Sequence, residues 1–134
     1  LTPHEGEFKR VSGVDLSGMK LEEKIDAVKE FAGRTGTTVI LKGQTDIITD
    51  GRSVMLNRTG NAGMTAGGTG DTLAGLAVAF LSKQVEPLNA ALLAAYFNGL
   101  AGDMALESYG LHFTASDMIK FYPYVMKPYD RLIE

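Results

Sequence analysis

The chain contains no cysteine. A disulfide framework and a thiolate metal site are therefore both excluded. No segment reaches eighteen uninterrupted apolar residues, so no membrane-spanning helix is expected. Positive charge is not in excess: the formal net charge is −3, which leaves no basic face for nonspecific nucleic-acid binding. Any phosphate ligand must then be held locally, by backbone amides and a few cations. Internal repeats and low-complexity segments are lacking too. The opening residues have neither the basic start nor the apolar core of a secretion signal, and a cytoplasmic protein is expected. Apolar residues make up 45% and charged residues 22% of the 134, the balance of an ordinary globular domain.

What the chain has in abundance is glycine, and in one place. Six glycines (Gly60, Gly63, Gly67, Gly68, Gly70 and Gly75) fall within sixteen residues, and an apolar, helix-like run from Leu73 to Leu81 follows at once. A glycine-rich turn feeding a helix presents unpaired N–H groups and the positive end of the helix dipole to one point in space, which suits an anion. Gly67, Gly68 and Gly70 could serve only as tight-turn residues, with Asp71 as a cap. So many close-approach residues, together with Asn61, Thr65 and Thr69, favour the anion reading. No Lys-Ser or Lys-Thr follows the glycines, which excludes a Walker-type loop, and the dinucleotide fingerprint is absent. A carboxylate beside a phosphate cradle adds nothing to holding phosphate. Asp71 makes chemical sense as the base for a hydroxyl that attacks that phosphate.

The rest of the chain reads as a layered α/β arrangement. Leu1 to Phe8 is expected as a loop punctuated by Pro3 and Gly6. Leu21, Ile25, Val28 and Phe31 recur at helical spacing between Lys20 and Gly33. Val39 to Leu41 is continuously apolar and β-branched, as in a strand buried on both faces. Asp46 to Thr49 and Ser53 to Leu56 flank Asp50-Gly51, a hairpin signal. Helices are predicted from about Asp71 to Lys83 and from Pro87 to Tyr109, the second mostly buried, with Asn98 and Asp103 as hydrogen-bonded structural groups. A last helix is predicted near Ser116-Asp117, with Ser116 as N-cap, stopping before Pro123 or Pro128. Phe121, Tyr122, Tyr124 and Tyr129 suit either core or interface, and His112 suits packing or surface. Helices packed on a mainly parallel sheet, plus a β-hairpin, follow from this order.

Three motifs stand in sequence: Thr2-Pro-His-Glu-Gly-Glu7, Val39-Ile-Leu-Lys-Gly43 followed by Gln44-Thr45-Asp46, and the loop from Asn57 to Asp71. In this order and spacing, and through Asn98-Gly-Leu-Ala-Gly-Asp103 and Thr114-Ala-Ser-Asp117, the chain resembles the ADP/ATP-dependent NAD(P)H-hydrate dehydratases of the ribokinase-like superfamily, most closely archaeal members. Glu5 and Ala62 stand where that family commonly has proline. The resemblance implies a single partial domain over residues 1–134, the later half of the fold. An earlier segment or second chain would complete it, and a homo-oligomer is open. It implies phosphoryl transfer from ADP or ATP, with Mg²⁺, to the C6 hydroxyl of hydrated NADH or NADPH, followed by phosphate elimination. Asp71 would be the catalytic base and touch substrate, and His4 would bind and orient the hydrate. Lys42, Gly43, Gln44, Thr45, Asp46 and Gly70 would hold the nucleotide, and Gly67, Gly68, Thr69 and Gly70 would form the anion hole; no metal ligand is assigned. A vitamin-precursor or sugar kinase of the same superfamily, or a nucleotide-binding fragment without catalysis, are the alternatives. Neither a nucleic-acid nor a membrane partner is expected.

Overall fold

In the computed structural model, which describes residues 1–131, the first eight-residue helix already departs from expectation. Residues Glu5–Ser12 form helix α1 rather than a loop, because His4 acts as its N-cap. The imidazole Nδ1 accepts from the amides of Gly6 (3.0 Å) and Glu7 (3.3 Å), while the Glu7 carboxylate accepts from the His4 amide at 2.8 Å. This is a capping box with histidine in the place usually taken by serine or threonine. Gly13, at φ 78°, closes the helix in the left-handed conformation.

Helix α2 (Leu21–Thr35) buries Val28, Phe31 and Ala32, the stripe expected from its spacing. Three strands follow: β1 (Val39–Leu41), β2 (Asp46–Thr49) and β3 (Val54–Asn57). They pair in the order β1-β2-β3, and both pairings are antiparallel, with Ile40 opposite Ile48 and Ile47 opposite Leu56. The expectation of a mainly parallel sheet is met within the described residues only where Leu1 to His4 run beside β1. There the Leu1 amino group donates to Thr38 O, and the amides of Ile40 and Lys42 donate to the carbonyls of Leu1 and Pro3, each at 2.8 Å. A doubly buried strand looks the same in sequence whichever way its neighbours run.

The sheet separates two cores. Val39, Leu41 and Ile47 pack with Phe8, Leu16, Val28 and Phe31, and the Phe8 and Phe31 rings meet edge to face with centroids 5.2 Å apart. Ile40 and Ile48 face the other way, into Leu73, Leu76, Ala94 and Phe97 of α3 (Thr69–Ser82) and α4 (Pro87–Tyr109). Alternation along the strands thus sends successive side chains to opposite helical layers. The turn between β2 and β3 is held by Asp50 Oδ1, which accepts from the amides of Arg52 and Ser53 at 2.8 Å each. Gly51 sits at φ 89° and presses on α2, where a β-carbon would lie 2.3 Å from Gly33 Cα.

The C-terminal prediction needs correction. Thr114, not Ser116, is the N-cap of α5 (Ala115–Ile119), in a reciprocal box with Asp117. The helix does end before Pro123, at Ile119, and Pro123 lies in the first turn of a separate helix, α6 (Tyr122–Met126), where its missing N–H costs nothing. Phe121 and Tyr122 pack against the α3–α4 core. Tyr124 and Tyr129 are exposed, although the Tyr129 hydroxyl lies 3.1 Å from that of Tyr96, and His112 is exposed in a 3₁₀ turn.

Candidate functional site

Lys42 leaves the end of β1, and a tight turn brings the chain back into β2 four residues later. Asp46 ties that turn: its Oδ1 accepts from the Gly43 amide at 3.0 Å and its Oδ2 from Asn57 Nδ2 at 2.9 Å. Burial pushes the Asp46 carboxyl above the usual carboxylate range, against the lowering effect of those two bonds and of Lys42. Lys42 is itself largely covered, with 27% of its side chain exposed. Its Nζ lies 3.4 Å from Glu7 Oε2 and 3.2 Å from the point where a β-carbon on Gly70 would stand. Glycine at position 70 therefore lets the ammonium approach the first turn of α3.

Gly68, at φ 94°, caps α3, and a β-carbon there would meet Ala115 Cβ at 3.0 Å. The amides of Gly67, Gly68 and Gly70 hydrogen-bond to no group among the described residues, whereas Thr69 N reaches Ala66 O at 3.5 Å. The Thr69 hydroxyl is turned inward to Met64 O at 2.6 Å, which fixes the loop before the helix. A helix N-terminus, the Gly70 amide and a lysine ammonium thus lie close together, an arrangement that suits an anion.

A cavity of about 720 Å³ opens beside them, lined by His4, Lys42, Gly43, Gln44, Asp46, Thr69 and Gly70. Thr45 lines a smaller cavity of about 360 Å³ that shares the Lys42 turn. Gly67, Gly68 and Asp71 line neither. Asp71 is exposed, and the reason is helical phase. The helix begins at Thr69, so Asp71 stands about 200° round the axis from the residue that faces the cavity, while Leu73 returns to it. The structure therefore brings His4, Lys42, the Lys42–Asp46 turn, Thr69 and Gly70 together, and sets Asp71 on another side of the same helical turn.

The cavity's far wall includes Thr59, Asn61, Ala95, Asn98 and Gly99. In the sequence Asn61 reads with the glycine loop and Asn98 as a structural group, whereas nothing singles out Thr59 or Ala95. Asn98 and Asp103 are hydrogen-bonded as expected. Asn98 Oδ1 accepts from the hydroxyls of Thr72 (2.9 Å) and Tyr122 (2.8 Å), and the Asp103 carboxylate holds Gly60 N and Asn61 Nδ2 at 3.0 Å each. Gly99 and Gly102 let the Asn57–Thr65 loop lie directly on α4, since β-carbons there would meet Thr59 Oγ1 at 2.0 Å and Met64 Sδ at 2.2 Å. Two glycines three residues apart within an apolar helix are the signal that marks this close approach. Among the described residues no group of three or more histidine or acidic side chains is placed to hold a metal ion.

The family model for NAD(P)H-hydrate dehydratase matches residues 1–123. The chain is 48% identical over 132 residues to an ADP-dependent (S)-NAD(P)H-hydrate dehydratase of Cenarchaeum symbiosum, covering 98% of this chain and 46% of that protein. It is likewise 48% identical over 128 residues to a bifunctional NAD(P)H-hydrate repair enzyme Nnr of Pyrobaculum aerophilum, covering 96% of this chain and 25% of that one. Among solved structures it is similar to the ADP/ATP-dependent NAD(P)H-hydrate dehydratase of Bacillus subtilis co-crystallised with ATP/Mg²⁺, at 32% identity and a TM-score of 0.87 over 97% of this chain and 47% of that one. A ribokinase-like superfamily protein from Enterococcus faecalis matches at 30% identity with a TM-score of 0.81, over 98% of this chain and 44% of its own. The chain thus spans less than half the length of these relatives.

Proposed function

The chain belongs to the NAD(P)H-hydrate dehydratase family, and on that premise we propose that it carries the nucleotide-holding and phosphoryl-transfer part of an enzyme that restores hydrated NADH or NADPH. The observation that carries this reading is the approach of the Lys42 ammonium to Gly70, whose amide is unpaired among the described residues, in the first turn of α3 beside a cavity large enough for a nucleotide. ADP or ATP would lie across the Lys42–Asp46 turn, with its phosphates toward Gly70.

Hydroxide is a poor leaving group and phosphate a good one, so the hydrate's C6 oxygen must first be phosphorylated. Asp71 takes the proton from that hydroxyl as its oxygen attacks the terminal phosphorus, and the bond to the nucleotide's bridging oxygen breaks. The amides of the glycine turn stabilise the charge on the transferring group. Phosphate then leaves C6 with the bonding electrons, a proton leaves C5, and the ring double bond is restored. Because Asp71 lies off the cavity while His4 lines it, this scheme has the hydrate extend from His4 at the cavity round the α3 turn to Asp71, beside the nucleotide. His4, whose Nδ1 is occupied by two amides, presents an Nε2–H donor to the hydrate. Mg²⁺ would arrive with the nucleotide phosphates and offset their negative charge.

The remaining half of the site would come from the rest of the fold, as an earlier segment or a second chain, in keeping with relatives more than twice this length. A cytoplasmic setting suits a repair activity that acts on soluble cofactors. The test is direct: hydrated NADH, ADP or ATP and Mg²⁺ are mixed with the protein, and the absorbance of reduced nicotinamide is followed. Its return, lost in Asp71→Asn while nucleotide affinity stays equal or rises, supports the scheme. Phosphorylated vitamin precursor without that signal would assign a kinase instead, and unchanged turnover in Asp71→Asn would remove Asp71 as the base.

A further inference from the structure

Glu7 has no part in the scheme above, yet its carboxylate is where the two ligand-facing side chains of the N-terminal segment meet. Oε2 accepts from the His4 amide at 2.8 Å and lies 3.4 Å from Lys42 Nζ, while Oε1 lies 3.5 Å from His4 Nε2. The parallel bridge between His4 and Lys42 is what lets one carboxylate reach both. Gly6 eases the arrangement: a β-carbon there would stand 3.0 Å from His4 Cε1 and press on the imidazole folded back onto the amides.

A helix cap needs the bond to the His4 amide and nothing more. The contact with Lys42 is separate from it and has its own physical purpose. The ammonium lies close to the positive end of α3, where a cation is unfavourable in isolation and gains from a nearby anion. The bond from the His4 amide, aided by Lys42, holds the Glu7 carboxyl below its ordinary range despite partial burial, so it carries that negative charge at neutral pH.

We propose that Glu7 is a positioning residue that fixes His4 and Lys42 in one arrangement, joining the side chain that faces the hydrate to the one that faces the nucleotide. This rests on the assignment of hydrate and nucleotide made above. Two variants separate the two contacts. Glu7→Gln keeps an acceptor for the His4 amide and therefore the cap, but loses the charge that faces Lys42. Glu7→Ala loses both.

ADP affinity is measured by calorimetry, the hydrate KM by the absorbance assay, and the His4 ring by ¹⁵N resonances that report its tautomer. In Glu7→Gln, ADP should bind about two- to fivefold more weakly, the span of a partly exposed ion pair, with the His4 ring signals and hydrate KM unchanged. In Glu7→Ala the same loss should be joined by a His4 ring that samples both tautomers and by a raised hydrate KM. A merely structural cap would lower Tm in Glu7→Ala and leave ADP affinity in Glu7→Gln untouched. Equal or tighter ADP binding in both variants, when the unaltered protein binds ADP, overturns the role of Glu7 alone. An unaltered protein that binds no ADP overturns the nucleotide assignment, and the Lys42 part of this proposal with it.

Discussion

Replacing Gly99 by alanine sets two effects of opposite sign against each other. Alanine is the better helix former by about 1 kcal/mol, and position 99 lies in the interior of α4, so propensity alone stabilises the variant. The added methyl, however, would lie 2.0 Å from Thr59 Oγ1 and 2.7 Å from Thr59 C and Cβ. Ordinary contact is about 3.5 Å, so the loop must retreat by about 1.5 Å. Overpacking of this kind costs about 1–3 kcal/mol. The retreat also gives up the bonds from Thr59 Oγ1 to Asn57 Oδ1 (2.9 Å) and Tyr96 O (3.2 Å), at about 1 kcal/mol each. The net expectation is a loss of about 2–4 kcal/mol, a fall in Tm of about 10 °C for a chain of this size. Gly75→Ala is the internal reference, because its β-carbon meets nothing within 4 Å and it lies within exposed α3 surface. That variant should gain about 0.5–1 kcal/mol. Thermal unfolding followed by circular dichroism separates the two. If Gly99→Ala rises in Tm alongside Gly75→Ala, the direct seating of the loop on α4 is wrong.

Two further outcomes bear on the site. Lys42→Ala should weaken ADP or ATP binding about ten- to a hundredfold, the value of a charge-assisted bond to phosphate, with little change in Tm because its contact with Glu7 is long and partly exposed; calorimetry and a melting curve on one sample decide, and a loss confined to hydrate binding would contradict the placement of Lys42. Burial raises the folded-state pKa of Asp46, so its contribution to stability is greatest below the ordinary carboxylate value near 3.9 and falls as pH rises through the raised one. The Tm of the unaltered protein relative to Asp46→Asn should accordingly be highest in acid and decline toward neutrality; a difference that grows with pH would mean that the bonds to Gly43 and Asn57 outweigh burial.

Much of the architecture was legible because its signals are local. Pro87 and Gly110 bracket α4, the apolar spacing of α2 is helical, and Asp50-Gly51 closes the hairpin by turn chemistry. Helix α1 was not legible, since a histidine that caps through Nδ1 has no counterpart in ordinary N-cap preferences. Strand direction was hidden for a different reason: Val39, Ile40 and Leu41 are buried on both faces, and burial carries no sense of polarity. Candidate site residues could be named from the three motifs, but not their common geometry. Asp71 is out of phase with Thr69 and Leu73, which line the cavity, and so lies off the cavity face. The approach of Lys42 to Gly70, and the wall supplied by Thr59 and Gly99, depend on contacts between distant segments that no local pattern encodes.

The double amide grip on His4 also sets what the imidazole refuses. A nickel or copper ion seeks a ring lone pair, and here one nitrogen spends its pair on Gly6 and Glu7 while the other bears the hydrogen. Metallation would require moving that hydrogen across the ring and unwinding the start of α1. An exposed histidine in a glycine-rich mouth is thereby kept out of transition-metal chemistry, and its outward nitrogen greets only acceptors.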